Sequence, residues 1–519
     1  QGQYLIESQE EKLRLAQLNL QAAEKAKHAS VWEASVEYAQ VGLSLLSPEN
    51  HWQTRYTLSF GLYNTLAECM YLTGDASKSE KLYDILLANT QSDLDKARIC
   101  ATRLVQTIGR GDWQQGIEYG TTGLKHLGIE IPTKPEALKA QWQTQKYQFE
   151  QILQTESLSQ FTDLPEMTDP HLLVASSIIP NLIQCCYILG HPSLEKHCAL
   201  LGLTISLNSG KSDSTPLLLA IYAMILARKS AYTQAFRIAE QAIKISESYP
   251  NCRELANTNN VLAGLILYLK SPYQTAINLH QKSYELGMEK GEIARAALNF
   301  CNMLFLKVSQ GENLKAVQEH AEHALELINR KAIFFPVPVV TKKFTQALID
   351  GKPEGIKTLN NDQFDVEYLS KIKSGFHITH LNHYRSQLAF WYSNDKIAID
   401  FASQVQVQIA LLPKFSLYID HLIQYGLFLL AQTEEQDQAS LEYCRSKLQT
   451  LAELYPPNFE HKHLLFQAEQ KKFEGADMDV VSALYEAAID SAERYGFLPY
   501  QALANELYAN FWLKKKRAK

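Results

Sequence analysis

The sequence predicts an all-α chain, a solenoid of antiparallel helical hairpins, on three observations. Breakers are scarce: 23 glycines and 17 prolines make up under 8% of 519 residues, against about 12% in average usage. Almost every segment repeats one grammar, a helix-length apolar-periodic run, a compact break and a second such run. Small residues recur early in the second runs at a spacing of 40 to 41: Ala235, Ala276 and Ala316.

The breaks are Thr73-Gly74-Asp75, Gly109-Arg110-Gly111-Asp112, Leu189-Gly190-His191-Pro192, Ser271-Pro272, Gln310-Gly311-Glu312-Asn313, Ser393-Asn394-Asp395 and Glu474-Gly475-Ala476-Asp477. Glycine tolerates the left-handed backbone that ends a helix, and aspartate or asparagine caps the next one, so such pairs turn the chain back on itself. No stretch alternates strictly with β-branched enrichment, so no sheet is expected. Nearer the N-terminus, Ala34 with Tyr38 and Ser79 with Tyr83 repeat a small residue followed four positions on by an aromatic one. A tetratricopeptide repeat (TPR) uses that step: a close helix crossing, then a bulky residue between hairpins. The hairpins are therefore TPR-like, longer than the standard repeat and without its full signature.

Prolines in "GIEIPTKPEALK" and "SQFTDLPEMTDPHLL" bracket one helix, and "FFPVPVV" with "LIDGKPEGIKTLNNDQF" forms a longer break. These divide the chain into hairpins at 1–130, a connector with one helix at 131–170, hairpins at 171–335, a connector at 336–375 and hairpins at 376–519.

The formal charge of -6 gives no global basic field, so nucleic acid is not an expected partner. The basic stretch Lys514 to Lys519 reads as a solvated helix end. The eight cysteines show no CxxC and mostly sit in apolar runs such as "NLIQCCYILG", which predicts a reducing, cytoplasmic setting. Apolar runs such as Leu217 to Ala227 last about eleven residues, short of the roughly 20 of a membrane span. The chain opens on Gln1 rather than Met, as expected of a piece of a longer polypeptide.

Motifs for phosphate loops, GxSxG nucleophiles, HExxH zinc sites and EF-hands are absent, so no catalytic residue and no cofactor is expected. His377, His380 and His383 in "GFHITHLNHYRSQLAFW" are candidate metal ligands, since residues three apart share a helix face. Against that, His383 rotates away from His377 and no acidic residue or cysteine completes a set, so no metal is expected and packed or solvated histidines are the reading, here as for His320, His323, His461 and His463. Several first helices, "TPLLLAIYAMILARKS", "NVLAGLILYLKS" and "LNFCNMLFLKVS", are apolar nearly all round. A helix of that kind is buried. Met224, Leu265, Tyr268 and Phe305 then point to the inner surface, either covered by a neighbouring segment or open as a groove for a protein partner or a small-molecule inducer.

Two stretches carry a family resemblance. Residues 15–46 (LAQLNLQAAEKAKHASVWEASVEYAQVGLSLL), 51–75 and 94–132 resemble the segment after the ATPase module of multi-sensor signal transduction kinases, and 455–513 resembles the end of the same helical region. In that family a serine/threonine-kinase-like domain, a STAND-type AAA+ ATPase, a long helical repeat, a GAF domain and a histidine kinase follow one another. The resemblance covers the helical repeat alone and carries no catalytic residue. It implies a non-catalytic sensor or interaction arm that acts on neighbouring domains of the same polypeptide. A free-standing TPR-like peptide-binding scaffold and the sensor region of a STAND-type transcription regulator are the alternatives.

Overall fold

The computed structural model describes residues 8–29, 31–132, 134–154, 160–250, 254–289, 293–330, 335–351, 375–392, 395–409, 416–431 and 437–517. The break at Ser393-Asn394, most of the connector at 336–375, Cys252 and the side chains of Lys514 to Lys519 lie outside the described residues.

The chain is a TPR-like α-solenoid. Among the described residues, 23 helices longer than two turns form ten hairpins and three single helices. The first three hairpins are α1 (Gln9–His28) with α2 (Trp32–Ser44), α3 (Tyr56–Leu72) with α4 (Ala76–Asn89), and α5 (Asp93–Arg110) with α6 (Trp113–His126). After the single α7 (Pro135–Gln154), four more follow: α8 (Pro170–Leu189) with α9 (Pro192–Ser209), α10 (Thr215–Arg228) with α11 (Tyr232–Ser246), α12 (Leu255–Leu265) with α13 (Tyr273–Glu289), and α14 (Ile293–Gln310) with α15 (Leu314–Arg330). The single α16 (Val337–Asp350) precedes α17 (Gly375–Trp391) with α18 (Asp395–Ile409), α19 (Ser416–Ala431) with α20 (Gln438–Leu454), α21 (Pro456–Phe473) with α22 (Met478–Tyr495), and a last helix α23 (Leu498–Arg517).

The turns form as their residues dictate. Gly111 leaves α5 with φ 76°, its N–H and that of Asp112 satisfying carbonyls of Ile108 and Thr107, and the Asp112 carboxylate then accepts from Gln115 N at 3.3 Å. Gly74 and Asp75 repeat this between α3 and α4. The one backbone pairing of strand type among the described residues joins Glu166 to Lys211, tying the segment before α8 to the end of α9.

Small residues set the helix crossings, in a register that differs from the sequence reading at two places. Ser35 and Ser79 are buried and donate to Ala23 O and Ala67 O, both at 2.7 Å, so each second helix is pinned to its first. Ser35 and Ala39, rather than Ala34 and Tyr38, occupy the crossing; Tyr38 is 43% exposed. The equivalent of Ala235 and Ala276 is likewise the fully buried Val317, with Ala316 beside it part-buried. Along α6, Gly116, Gly120 and Gly123 admit Cys185, Leu182 and Ile178 of α8 so closely that an added Cβ would lie within 3.0 Å of each.

That contact explains α8. By length and composition it could cross a membrane, which exceeds the apolar runs expected from sequence; here Ile178, Ile179, Leu182 and Ile183 are buried against neighbouring hairpins.

The last hairpins return onto the central ones. Asn458 of α21 donates to Tyr268 O at 2.7 Å and Ser271 O at 2.8 Å, Lys447 of α20 to Ser230 Oγ at 3.0 Å, and the rings of Tyr273 and Phe497 meet edge to face at 5.3 Å. One apolar core therefore runs from Leu104 to Phe511, while smaller cores lie within the first two hairpins, from Ala16 to Met70, and between the second and third, from Phe60 to Ile99.

Candidate ligand cavities on the inner face

Successive first helices line up along the inner face, and two cavities open between them. The larger holds about 210 Å³. Its walls come mainly from α5, α8, α10, α12 and α14, with Met224, Leu265 and Ile221 among the apolar contacts, and are completed by Trp113 of α6, Ile328 of α15, Phe335 before α16 and His377 of α17. Amide side chains interrupt that surface: Asn181 and Gln184 on α8, Asn257 and Asn260 on α12, and Asn302 on α14. Asn302 Nδ2 donates to Asn260 Oδ1 at 2.8 Å, which links two first helices across a hairpin boundary. No Asp, Glu, Lys or Arg lines this cavity. Such a surface takes an apolar body and offers hydrogen bonds to backbone-like amides.

The four residues expected at the inner surface are brought to different places. Met224 and Leu265 share the larger cavity. Phe305 lines a second cavity of about 130 Å³, between α14, α16, α17, α19 and the start of α23. Tyr268 lines neither; fully buried, it packs edge to face on Tyr273 at 5.9 Å beneath Asn458. All four side chains are buried, Met224 and Leu265 at 4% and 7% exposure, so the inner surface is represented by enclosed cavities rather than by bare groove residues.

His377, His380 and His383 are all buried on α17. His377 stands edge-on to Phe335 at 5.5 Å and lines the larger cavity, His380 stands edge-on to Phe305 at 5.0 Å, and His383 lines the smaller cavity 6.2 Å from the His421 ring. Burial holds His377 and His383 down to about 3 and His380 well below the ordinary imidazole value, so all three rings stay neutral. Among the described residues, no group of three His, Cys, Asp or Glu side chains is placed to hold a metal ion. His320 stacks on Phe300 at 3.7 Å, and His461 stacks on Phe497 at 4.3 Å.

Sequence reading missed the buried polar centre beside the smaller cavity. Asp420, in the otherwise apolar α19, accepts from Tyr500 Oη at 2.6 Å and from Ser309 Oγ, and lies 3.7 Å from Lys462 Nζ. Lys462 is fully buried, stands over the Tyr500 ring at 4.2 Å, and is pulled down to about 8 by burial, with Asp420 opposing. A lone aspartate in "SLYIDHLIQYGLFLLA" was the available signal, but its partners lie on three other helices.

No family model matches the chain. It is 22% identical over 340 residues to hybrid signal transduction histidine kinase G of Dictyostelium discoideum, covering 60% of this chain and 10% of that protein. The chain therefore spans about a tenth of the length of that curated relative. Similar solved structures include yeast Tom70 (13% identity, 97% and 96% of the two chains, TM-score 0.30). The Rap protein complexed with competence and sporulation factor (9%, 97% and 99%, 0.32) and the APC/C hetero-tetramer Cut9-Hcn1 (11%, 94% and 95%, 0.33) are others. At these TM-scores the structures carry no argument about this chain, whose architecture rests on its own helices.

Proposed function

We propose that the chain is a non-catalytic sensor and interaction arm of a larger signalling kinase, receiving a protein partner or a small-molecule inducer in its inner groove. The observation that carries this reading is the larger cavity: apolar walls from five successive hairpins, interrupted by amides at Asn181, Gln184, Asn257, Asn260 and Asn302 and free of charge. Amides spaced along an apolar groove suit an extended peptide, whose backbone needs donors and acceptors while its side chains need burial. The alignment with a histidine kinase that is about ten times longer supports placing the arm inside a multidomain protein. The described cysteines, all buried and free, fit a reducing, cytoplasmic compartment.

A displayed library of random short peptides, panned against the chain, tests the reading. Selected sequences should share apolar positions, and their binding should fall at least tenfold in Met224→Trp, which fills the cavity, with the helical circular dichroism spectrum unchanged. A library that returns no binder above background, or binders indifferent to Met224→Trp, would refute it.

A further inference from the structure

The wall of the smaller cavity carries polar atoms with nothing to bond. Gln424 is 6% exposed and neither its Oε1 nor its Nε2 has a hydrogen-bond partner. His383, fully buried, has none at either ring nitrogen. Both line the same cavity. Leaving a buried amide and imidazole unbonded costs each its full desolvation penalty, a large share of any domain's net stability. Other polar groups in and around this wall are met in part: Asp420 takes Tyr500 and Ser309, and His421 Nε2 lies 3.0 Å from Gln406 Oε1, while Tyr384 Oη in the same lining has no hydrogen-bond partner. Unused bonding capacity in this lining therefore lies at Gln424 and His383, with the Tyr384 hydroxyl beside them.

The remaining wall is aromatic and aliphatic, including Phe305, Phe344, Phe390 and Leu427. At about 130 Å³ the cavity is close to the size of an apolar cavity that accepts one benzene ring. Trp391, 37% exposed, stands where the lining meets solvent. The Asp420 charge is already answered by Lys462, Tyr500 and Ser309, so the cavity offers no free counter-charge. A neutral imidazole presents one donor and one acceptor, and the glutamine amide presents both on one edge.

We propose that this cavity is a binding site, separate from the inner groove, for an uncharged planar molecule of about one ring bearing an adjacent donor and acceptor: a carboxamide on an aromatic ring, or a lactam heterocycle. Gln424 reads the amide edge, His383 takes a second hydrogen bond, and the aromatic wall holds the ring. The site lies where α14 meets α17, α19 and α23, so an occupant joins the central and C-terminal hairpins.

The test is calorimetric titration and thermal melting of the full chain with benzamide, nicotinamide and uracil, with toluene as the apolar control. Saturable binding of at least one amide-bearing ring at millimolar concentration or below, accompanied by a raised melting temperature, is the expected result. Gln424→Leu, close in volume, should weaken that binding at least tenfold while toluene binding is kept or gained. Leu427→Phe, which narrows the cavity without touching a polar group, should block every probe and serves should Gln424→Leu fail to fold. No probe raising the melting temperature, or amide-bearing rings bound equally by wild type and both variants, would overturn the proposal.

Discussion

At Gly311 the chain turns from α14 into α15 with φ 84°, and a Cβ placed there would lie 2.2 Å from Pro499 Cδ at the start of α23. Backbone geometry and a long-range contact thus both require glycine. Gly311→Ala should cost about 1–3 kcal/mol in urea denaturation, since the left-handed strain and the collision with a proline ring add. The Asp420–Lys462 pair makes a second residue-scale test. Asp420→Ala leaves a buried ammonium without its carboxylate and should lose about 3–5 kcal/mol. The double change Asp420→Asn with Lys462→Met keeps an acceptor for Tyr500 and removes both charges, so it should be neutral or stabilising by about 1–4 kcal/mol. An equal loss in the two variants would show that the pair does not matter as a pair.

Elements were legible where local chemistry fixes their ends. Gly111-Asp112 closes one helix and caps the next, and the hairpin can be read directly from those two letters. Register was not legible at α2, because its cap position is Val31, with no side-chain hydrogen bond to mark the first turn. A start free to move by one residue moves the crossing from Ser35 to Ala34. The histidines of α17 stand in the sequence only as candidate ligands beside the packed-or-solvated reading, because spacing reports a shared face but not whether water reaches it. Their burial now predicts a pH effect. His377, His380, His383 and His421 stay neutral in the folded chain, whereas the unfolded chain takes up protons below about 6.5. Stability is therefore full above about pH 6.5 and is lost as pH falls toward about 3, by up to about 1.4 kcal/mol per pH unit for each ring. The urea midpoint should drop between about pH 7 and pH 5, and His380→Leu should drop less than wild type over that interval. Equal slopes in the two proteins would reject the assignment.

On the scale of the whole molecule, the contacts that decide the shape join residues far apart in sequence. Asn458 and Tyr268 are 190 positions apart, and no periodicity announces their meeting. The nearly all-apolar α10, α12 and α14 did hint that the inner surface was covered somewhere, yet a pattern within one helix cannot name the partner that covers it. The two ends of the array are attached by different means. Between the second and third hairpins the junction combines a small separate apolar cluster of Phe60, Ala67, Tyr83, Leu86 and Ile99 with polar contacts, Gln106 Nε2 donating to Tyr83 Oη at 2.8 Å, Tyr71 Oη to Gln106 O at 3.0 Å, and Arg103 paired with Glu80. The partly exposed Arg103–Glu80 pair contributes little, and the buried Tyr83–Gln106 bond is a local link between two hairpins. The C-terminal hairpins instead share the continuous apolar core and fully bury Tyr268, Tyr273 and Phe497. Removal of residues 1–91, which keeps Ser92 as the cap of α5, should leave a chain that still unfolds cooperatively with a melting temperature lowered by only a few degrees. Removal of residues 437–519 strips the cover from Tyr268 and Tyr273, and that chain should bind a hydrophobic dye and lose its cooperative transition. Paired melts of the two truncations, followed by circular dichroism, decide the matter: the asymmetry follows from the core, and truncations of equal effect would contradict it.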